Sequence, residues 1–138
     1  MYTILDDLPI VPDHLILPLS EVVKLTNWFR GESKNYTIHH CQDNLRNYLQ
    51  DQFPQYEHFC YQTLVDGVPI HKDLNRTRAL NYIIDAGGSD VHTIWYDEDK
   101  ITQTCDIVLP TNKWHILEVD SYHTITNIKE KRFAITIA

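Results

Sequence analysis

Basic residues are in short supply. Lys and Arg number 12 against 19 Asp and Glu, for a formal charge of −7. Wrapping a nucleic-acid backbone calls for a basic surface, so the overall charge argues against nonspecific DNA or RNA binding, and no nucleic-acid partner is expected. Cysteine is scarce as well. Cys41, Cys60 and Cys105 are odd in number and widely separated, and there is no CxxC. A disulfide framework is therefore not expected, and reduced thiols in a cytoplasmic compartment are the simplest reading. The opening "MYTILDDLPI" has neither a basic n-region nor a long apolar run, so it does not read as a signal peptide. No stretch approaches the roughly 20 apolar residues that span a bilayer, so no membrane partner is expected. Internal repeats, low-complexity tracts and linkers are also missing.

What is present is a globular composition. Of 138 residues, 43% are apolar and 22% charged, and three Trp, eight Tyr and four Phe supply large buried surfaces. The length suits one domain, residues 1–138. Half of the 12 basic residues fall in two short segments, Lys72, Arg76 and Arg78, then Lys129, Lys131 and Arg132. If those segments meet in space, they form a cationic site for a small anion on an acidic protein.

Two helices are expected first. "PLSEVVKLTNWFRGE" (residues 18–32) has Ser20 as N-cap, Val22, Leu25 and Phe29 at helical spacing, and Gly31 to end it. "CQDNLRNYLQDQFP" carries Leu45, Tyr48, Leu49 and Phe53 on one stripe, and Pro54 follows. After Pro54 the period changes to that of strands. "YEHFCYQTL", "ALNYIID", "VHTIWY", "CDIVL", "KWHILEV" and "KRFAITIA" are short, rich in β-branched and aromatic residues, and separated by turn formers. The acidic "YDEDK" reads as a hairpin loop. Helices followed by strand after strand indicate a mainly β sandwich or barrel, with the two helices packed on one sheet.

The segment "VDGVPIHKDLNRTRALNYIID" holds the first chemical signal. His71 and Asp73 are two apart, so in an extended chain their side chains point the same way. A polar turn leading into a strand would look the same, and a metal site needs a third ligand. His123 follows 52 residues later, enough chain for several strands and a return to the same end of a sheet. Two imidazoles and a carboxylate occupy one face of an octahedron and leave the other open, which suits Fe(II). A closed zinc site would want four ligands, usually with Cys, and no cysteine lies nearby.

Arg132 opens the last strand. Arg132, Ala134, Thr136 and Ala138 alternate onto one face, and Phe133, Ile135 and Ile137 onto the other. The second is an ordinary core face. The first has one cation followed by small side chains, which suits a cavity for a dicarboxylate gripped by a guanidinium.

Taken in order, His71-Lys-Asp73, His123 and Arg132 resemble the HxD…H…R signature of the iron(II)/2-oxoglutarate-dependent oxygenases. "RALNYIID" is similar to the strand after HxD in prolyl-hydroxylase-like and phage-borne members. The match covers roughly residues 57–138. The resemblance implies a double-stranded β-helix, or jelly roll, with two N-terminal supporting α-helices. It implies Fe(II) held by His71, Asp73 and His123, and Arg132 as partner of the 2-oxoglutarate C5 carboxylate. It implies a dioxygenase that uses O2 and hydroxylates a protein side chain, proline as first guess, or a small molecule, releasing succinate and CO2. Tyr61 matches a tyrosine that lines the cosubstrate pocket, and Asn81 is a further candidate contact. Many relatives read Arg-x-Ser on the last strand. Here Ala134 replaces the serine, so Arg132 needs another helper, with Tyr61 and Thr136 as candidates.

The alternatives are a cupin-like metal enzyme and a non-catalytic jelly-roll binding module. Cupins usually show HxH followed by a glutamate, whereas this chain has HxD. Among the other histidines, His39 and His40 are expected on the surface before a helix, and His115 as a hydrogen-bonded structural residue. Trp95 and Tyr96 suit either a substrate cleft or the core, and Arg76 and Arg78 are expected to be solvated.

Overall fold

The computed structural model describes residues 1–27 and 36–138. Ten strands run in the order β1 (Tyr2–Leu5), β2 (Tyr36–His40), β3 (Phe59–Leu64), β4 (Val68–His71), β5 (Arg78–Asp85), β6 (His92–Tyr96), β7 (Gln103–Ile107), β8 (Trp114–Glu118), β9 (His123–Thr126) and β10 (Arg132–Ile137). They form two antiparallel sheets. The larger has six strands in the order β1-β8-β5-β10-β3-β2, and the smaller has four in the order β4-β9-β6-β7. From β4 onward the chain passes back and forth between the sheets, which is the jelly-roll pattern expected. No described helix is long and apolar enough to cross a membrane.

The larger sheet is buried on both faces, and alternation sorts its residues cleanly. Leu80, Tyr82, Trp114, Phe133, Ile135, Ile137, Phe59 and Tyr61 point outward, where they meet helix α2 (Asp43–Gln52) through Leu45, Leu49 and Phe53. Ala79, Ile83, Leu117 and Ala134 point inward and pack against Trp95, Cys105 and Ile107 of the smaller sheet. Every residue of β10 is buried, as befits a central strand. The three cysteines are free.

The first helix is shorter than its pattern suggests. Helix α1 spans only Leu19–Val22, starting after an extended Pro18 rather than from a Ser20 cap. Val22 is buried against the outer core, as expected of a supporting helix. The chain then turns and pairs with β2. Asn27 bridges His39, and the Thr26 carbonyl accepts from the His40 amide at 2.9 Å. β-Branched Val22, Val23 and Thr26 favour that exit over continued helix. Phe29 and Gly31 lie outside the described residues. The expectation that His39 is a surface residue is corrected: it sits buried on β2, with Nδ1 donating to the Leu25 carbonyl at 3.0 Å.

Strands β1, β2, β4 and β9 had no counterpart in the sequence pattern. β4 contains Pro69, which lacks an N–H and is tolerated because β4 is an edge strand. β9, "HTIT", is short and has Ile125 as its one apolar residue.

Candidate metal centre

β4 and β9 are adjacent antiparallel strands, and His71 is the register partner of His123. Opposed residues in such a pair project to the same side. The two imidazoles therefore stand together, with ring centroids 4.3 Å apart. Asp73 joins them from the turn after β4. Its backbone N–H donates to the Val119 carbonyl at 2.8 Å, which fixes the turn against the end of β8. Asp73 Oδ1 lies 3.4 Å from His71 Nε2 and 3.9 Å from His123 Nε2. One potential ligand atom from each residue lies within 4.8 Å of the other two, so the structure does bring these three together.

The surroundings aim the lone pairs. His71 Nδ1 donates to the Pro69 carbonyl at 2.7 Å, and His123 Nδ1 donates to the Ser121 carbonyl at 2.8 Å. A carbonyl only accepts, so each neutral ring carries its proton on Nδ1 and presents a bare Nε2. Such backbone anchoring is how ligand histidines are held in one tautomer. Asp73 is oriented in a comparable way. Arg76 Nε donates to Asp73 Oδ2 at 2.7 Å, leaving Oδ1 turned toward the imidazoles. Arg76 is exposed, as expected, and its guanidinium also pairs with Asp73.

The electrostatics follow. Partial burial opposes ionisation of Asp73, but hydrogen bonds from His71 and Arg76 and the Arg76 charge outweigh it, and its pKa falls to about 2. His71 is shifted upward, chiefly by its hydrogen bond to Asp73. His123 is shifted downward, first by burial. Asp73 is ionised at neutral pH, and each imidazole, once neutral, presents a bare Nε2 beside it. This is a hard-oxygen and imidazole-nitrogen set that suits a divalent first-row metal.

The other expected site residues separate by face. Arg132 lies on the inner face of β10 with Ala134, is 6% exposed, and its pKa is lowered by burial to about 10. Asn81 also faces inward, between Ala79 and Ile83. Tyr61 does not. It packs in the outer core at 5.3 Å from Phe133, and its hydroxyl donates to Gln42 and accepts from the Leu17 N–H. Its role as a pocket residue is therefore corrected: one step of strand alternation puts it on the helix side. Two cations of the first basic segment are neutralised in place, Lys72 by Glu98 and Arg76 by Asp73.

Trp95 is core rather than cleft. It is buried beside His123, its register partner, with Nε1 donating to the Glu118 carbonyl at 2.8 Å. His115 is the residue most misjudged from sequence. It is fully buried on the inner face of β8, and neither ring nitrogen has a hydrogen-bond partner. Burial, then the charge of Arg132, push its pKa down to about 4; the Lys113 backbone pulls weakly the other way without hydrogen-bond geometry. Alternation with Trp114 and Ile116 could have placed His115 inward, but no pattern reveals a missing partner.

No family model matches the chain, and no curated protein matches it. Solved structures do. An oxidoreductase of the 2OG-Fe(II) oxygenase family from Burkholderia pseudomallei matches with a TM-score of 0.59 at 5% identity, over 86% of this chain and 73% of that one. Fe(II)-HppE, solved with the alternative substrate (S)-1-HPP, matches with a TM-score of 0.52 at 13% identity, over 92% of this chain and 61% of that one. Bacillus subtilis oxalate decarboxylase, studied for its Mn(II) centres, matches with a TM-score of 0.51 at 12% identity, over 84% of this chain and 28% of that one. At such low identity the likeness carries the fold alone: this chain is a jelly-roll β-sandwich.

Proposed function

We propose that the protein is an Fe(II)- and 2-oxoglutarate-dependent dioxygenase. The observation that supports this most is the His71, Asp73 and His123 cluster, whose ligand atoms lie within 4.8 Å of one another on backbone-anchored side chains. When bound, ferrous iron with 2-oxoglutarate and O2 supplies the oxidative chemistry, with succinate and CO2 as co-products.

The chain's own residues then have defined tasks. His71 and His123 offer Nε2, and Asp73 offers Oδ1 while Arg76 occupies Oδ2. Three protein ligands leave positions open for a chelating keto acid. Arg132, inside the sandwich and without an ion pair among the described residues, binds the far carboxylate. Trp95 forms a dry wall beside His123. Leu74, next to Asp73, is 94% exposed and supplies apolar surface to a substrate at the mouth. The substrate is a side chain of a peptide or protein, proline first, or a small molecule.

Anaerobic addition of Fe(II) and 2-oxoglutarate tests this reading. It should produce a weak visible charge-transfer band, absent in Asp73→Ala. A cupin-like enzyme using another ion, or a non-catalytic jelly-roll module, gives no such band, and its absence from the wild-type protein would overturn the proposal. Screening peptides and small metabolites for stimulated succinate release then identifies the substrate.

A further inference from the structure

The interior of the sandwich holds polar atoms that the fold itself does not satisfy. Both ring nitrogens of His115, Oδ1 of Asn81 and Oγ1 of Thr93 are enclosed without a hydrogen bond. Each such atom costs free energy unless something else supplies a partner. They are not scattered. Asn81 and His115 are register partners on β5 and β8, and Thr136 of β10 is the next partner of Asn81. Arg132 lies on the same face of β10 as Thr136, and its charge acts on His115. Thr93 looks in from the opposite sheet, beside Ile107. Ala134, between Arg132 and Thr136, has no polar side-chain atom to offer.

We propose that His115 is a binding residue for the far carboxylate of the keto-diacid, donating one ring N–H to a carboxylate oxygen while Arg132 grips the group, with Asn81 and Thr93 walling the same site. This rests on the oxygenase reading and names the helper that Arg132 requires. A buried cation with no ion pair among the described residues and a buried imidazole with no hydrogen bond among them make a poor core and a good carboxylate site. A ligand that fills it satisfies groups that are otherwise orphaned, and a 2-oxo acid lacking the second carboxylate does not.

The experiment titrates Fe(II)-loaded protein anaerobically with 2-oxoglutarate and with pyruvate, reading the charge-transfer band. His115→Leu should weaken 2-oxoglutarate binding at least tenfold while changing pyruvate binding less than threefold. His115→Gln, which keeps an N–H donor, should recover part of the difference and guards against simple loss of fold. If the wild-type protein forms the band and His115→Leu leaves the 2-oxoglutarate-to-pyruvate preference unchanged, His115 is only a core residue and this inference falls while the oxygenase reading stands. If the wild-type protein forms no band with either acid, the oxygenase reading falls and takes this inference with it.

Discussion

His71 and His123 face one another across β4 and β9, with ring centroids 4.3 Å apart and Nδ1 of each donating to a backbone carbonyl. Two imidazoles this close repel when both are protonated, and the His71 charge contributes to the lowered pKa of His123. A divalent cation between them would remove that conflict.

Metal affinity should therefore depend on pH with a definite sign. Asp73 stays ionised, since its pKa is about 2. His71 is the limiting ligand, because its hydrogen bond to Asp73 raises its pKa. Below that raised value a proton occupies the Nε2 lone pair a metal needs, so binding weakens as pH falls through it. The Kd for Mn(II), measured by calorimetry, should rise roughly tenfold or more between about pH 8 and about pH 5.5. A flat profile would count against these ligands.

Arg76 should matter to the metal more than to the fold. Its pair with Asp73 is partly solvated, with 37% of the Arg76 side chain exposed, so its loss should cost no more than about 1 kcal/mol of stability. Groups that orient a ligand carboxylate typically change metal affinity by about 10- to 100-fold. Arg76→Gln should show that weakening in a metal titration with little change in Tm. Equal affinity would mean that Asp73 is held by other contacts.

His115 should make stability depend on pH in the opposite range from a paired histidine. Its folded pKa is depressed to about 4, against 6.5 for the free side chain. Above the unfolded value both states are neutral and no penalty exists. As pH falls from there toward 4, only the unfolded chain takes up the proton, and up to about 3 kcal/mol is lost. Urea unfolding of the metal-free protein should show this slope, and His115→Leu should flatten it. Identical slopes in the two proteins would refute a buried neutral imidazole.

Tyr61→Phe should separate support from site. It removes the hydroxyl that accepts from Leu17 and donates to Gln42, leaving the Leu17 N–H without that partner. The expected cost is about 1–2 kcal/mol of stability. Affinity for 2-oxoglutarate should be unchanged, because Tyr61 faces the helix side of the sheet. A clear loss of cosubstrate affinity would contradict that placement.

Gly87 controls the approach to Arg132. It sits at φ +80°, and a Cβ there would lie 2.6 Å from the Glu130 carbonyl oxygen and 2.9 Å from the Arg132 amide nitrogen. Gly87→Ala should cost about 1–3 kcal/mol, read as a fall in Tm, and should move the start of β10. A Tm equal to wild type would show that this turn relaxes freely.

Much of the fold is legible along the chain because strands buried on both faces read as dense runs of apolar, β-branched and aromatic residues. β5, β8 and β10 announce themselves through residues such as Leu80, Tyr82, Ile135 and Ile137, and α2 through Leu45 and Leu49. The edge elements are not legible. β4 carries Pro69, β9 is half threonine, and β1 owes its place to pairing with β8. The segment after Val22 has helical spacing, yet it becomes a partner for β2 because the sheet edge offers it hydrogen bonds.

Taken alone, the chain's residue order determined a mainly β molecule with helical support and set a histidine and a carboxylate two residues apart, since both depend on local period. Which residues share an interior was decided only by tertiary structure. Strand register stands His123 opposite His71, and alternation turns Tyr61 outward and His115 inward. A displacement of one residue in pairing reverses the face of every side chain on a strand. Register is set by packing between sheets, which no short window of sequence contains.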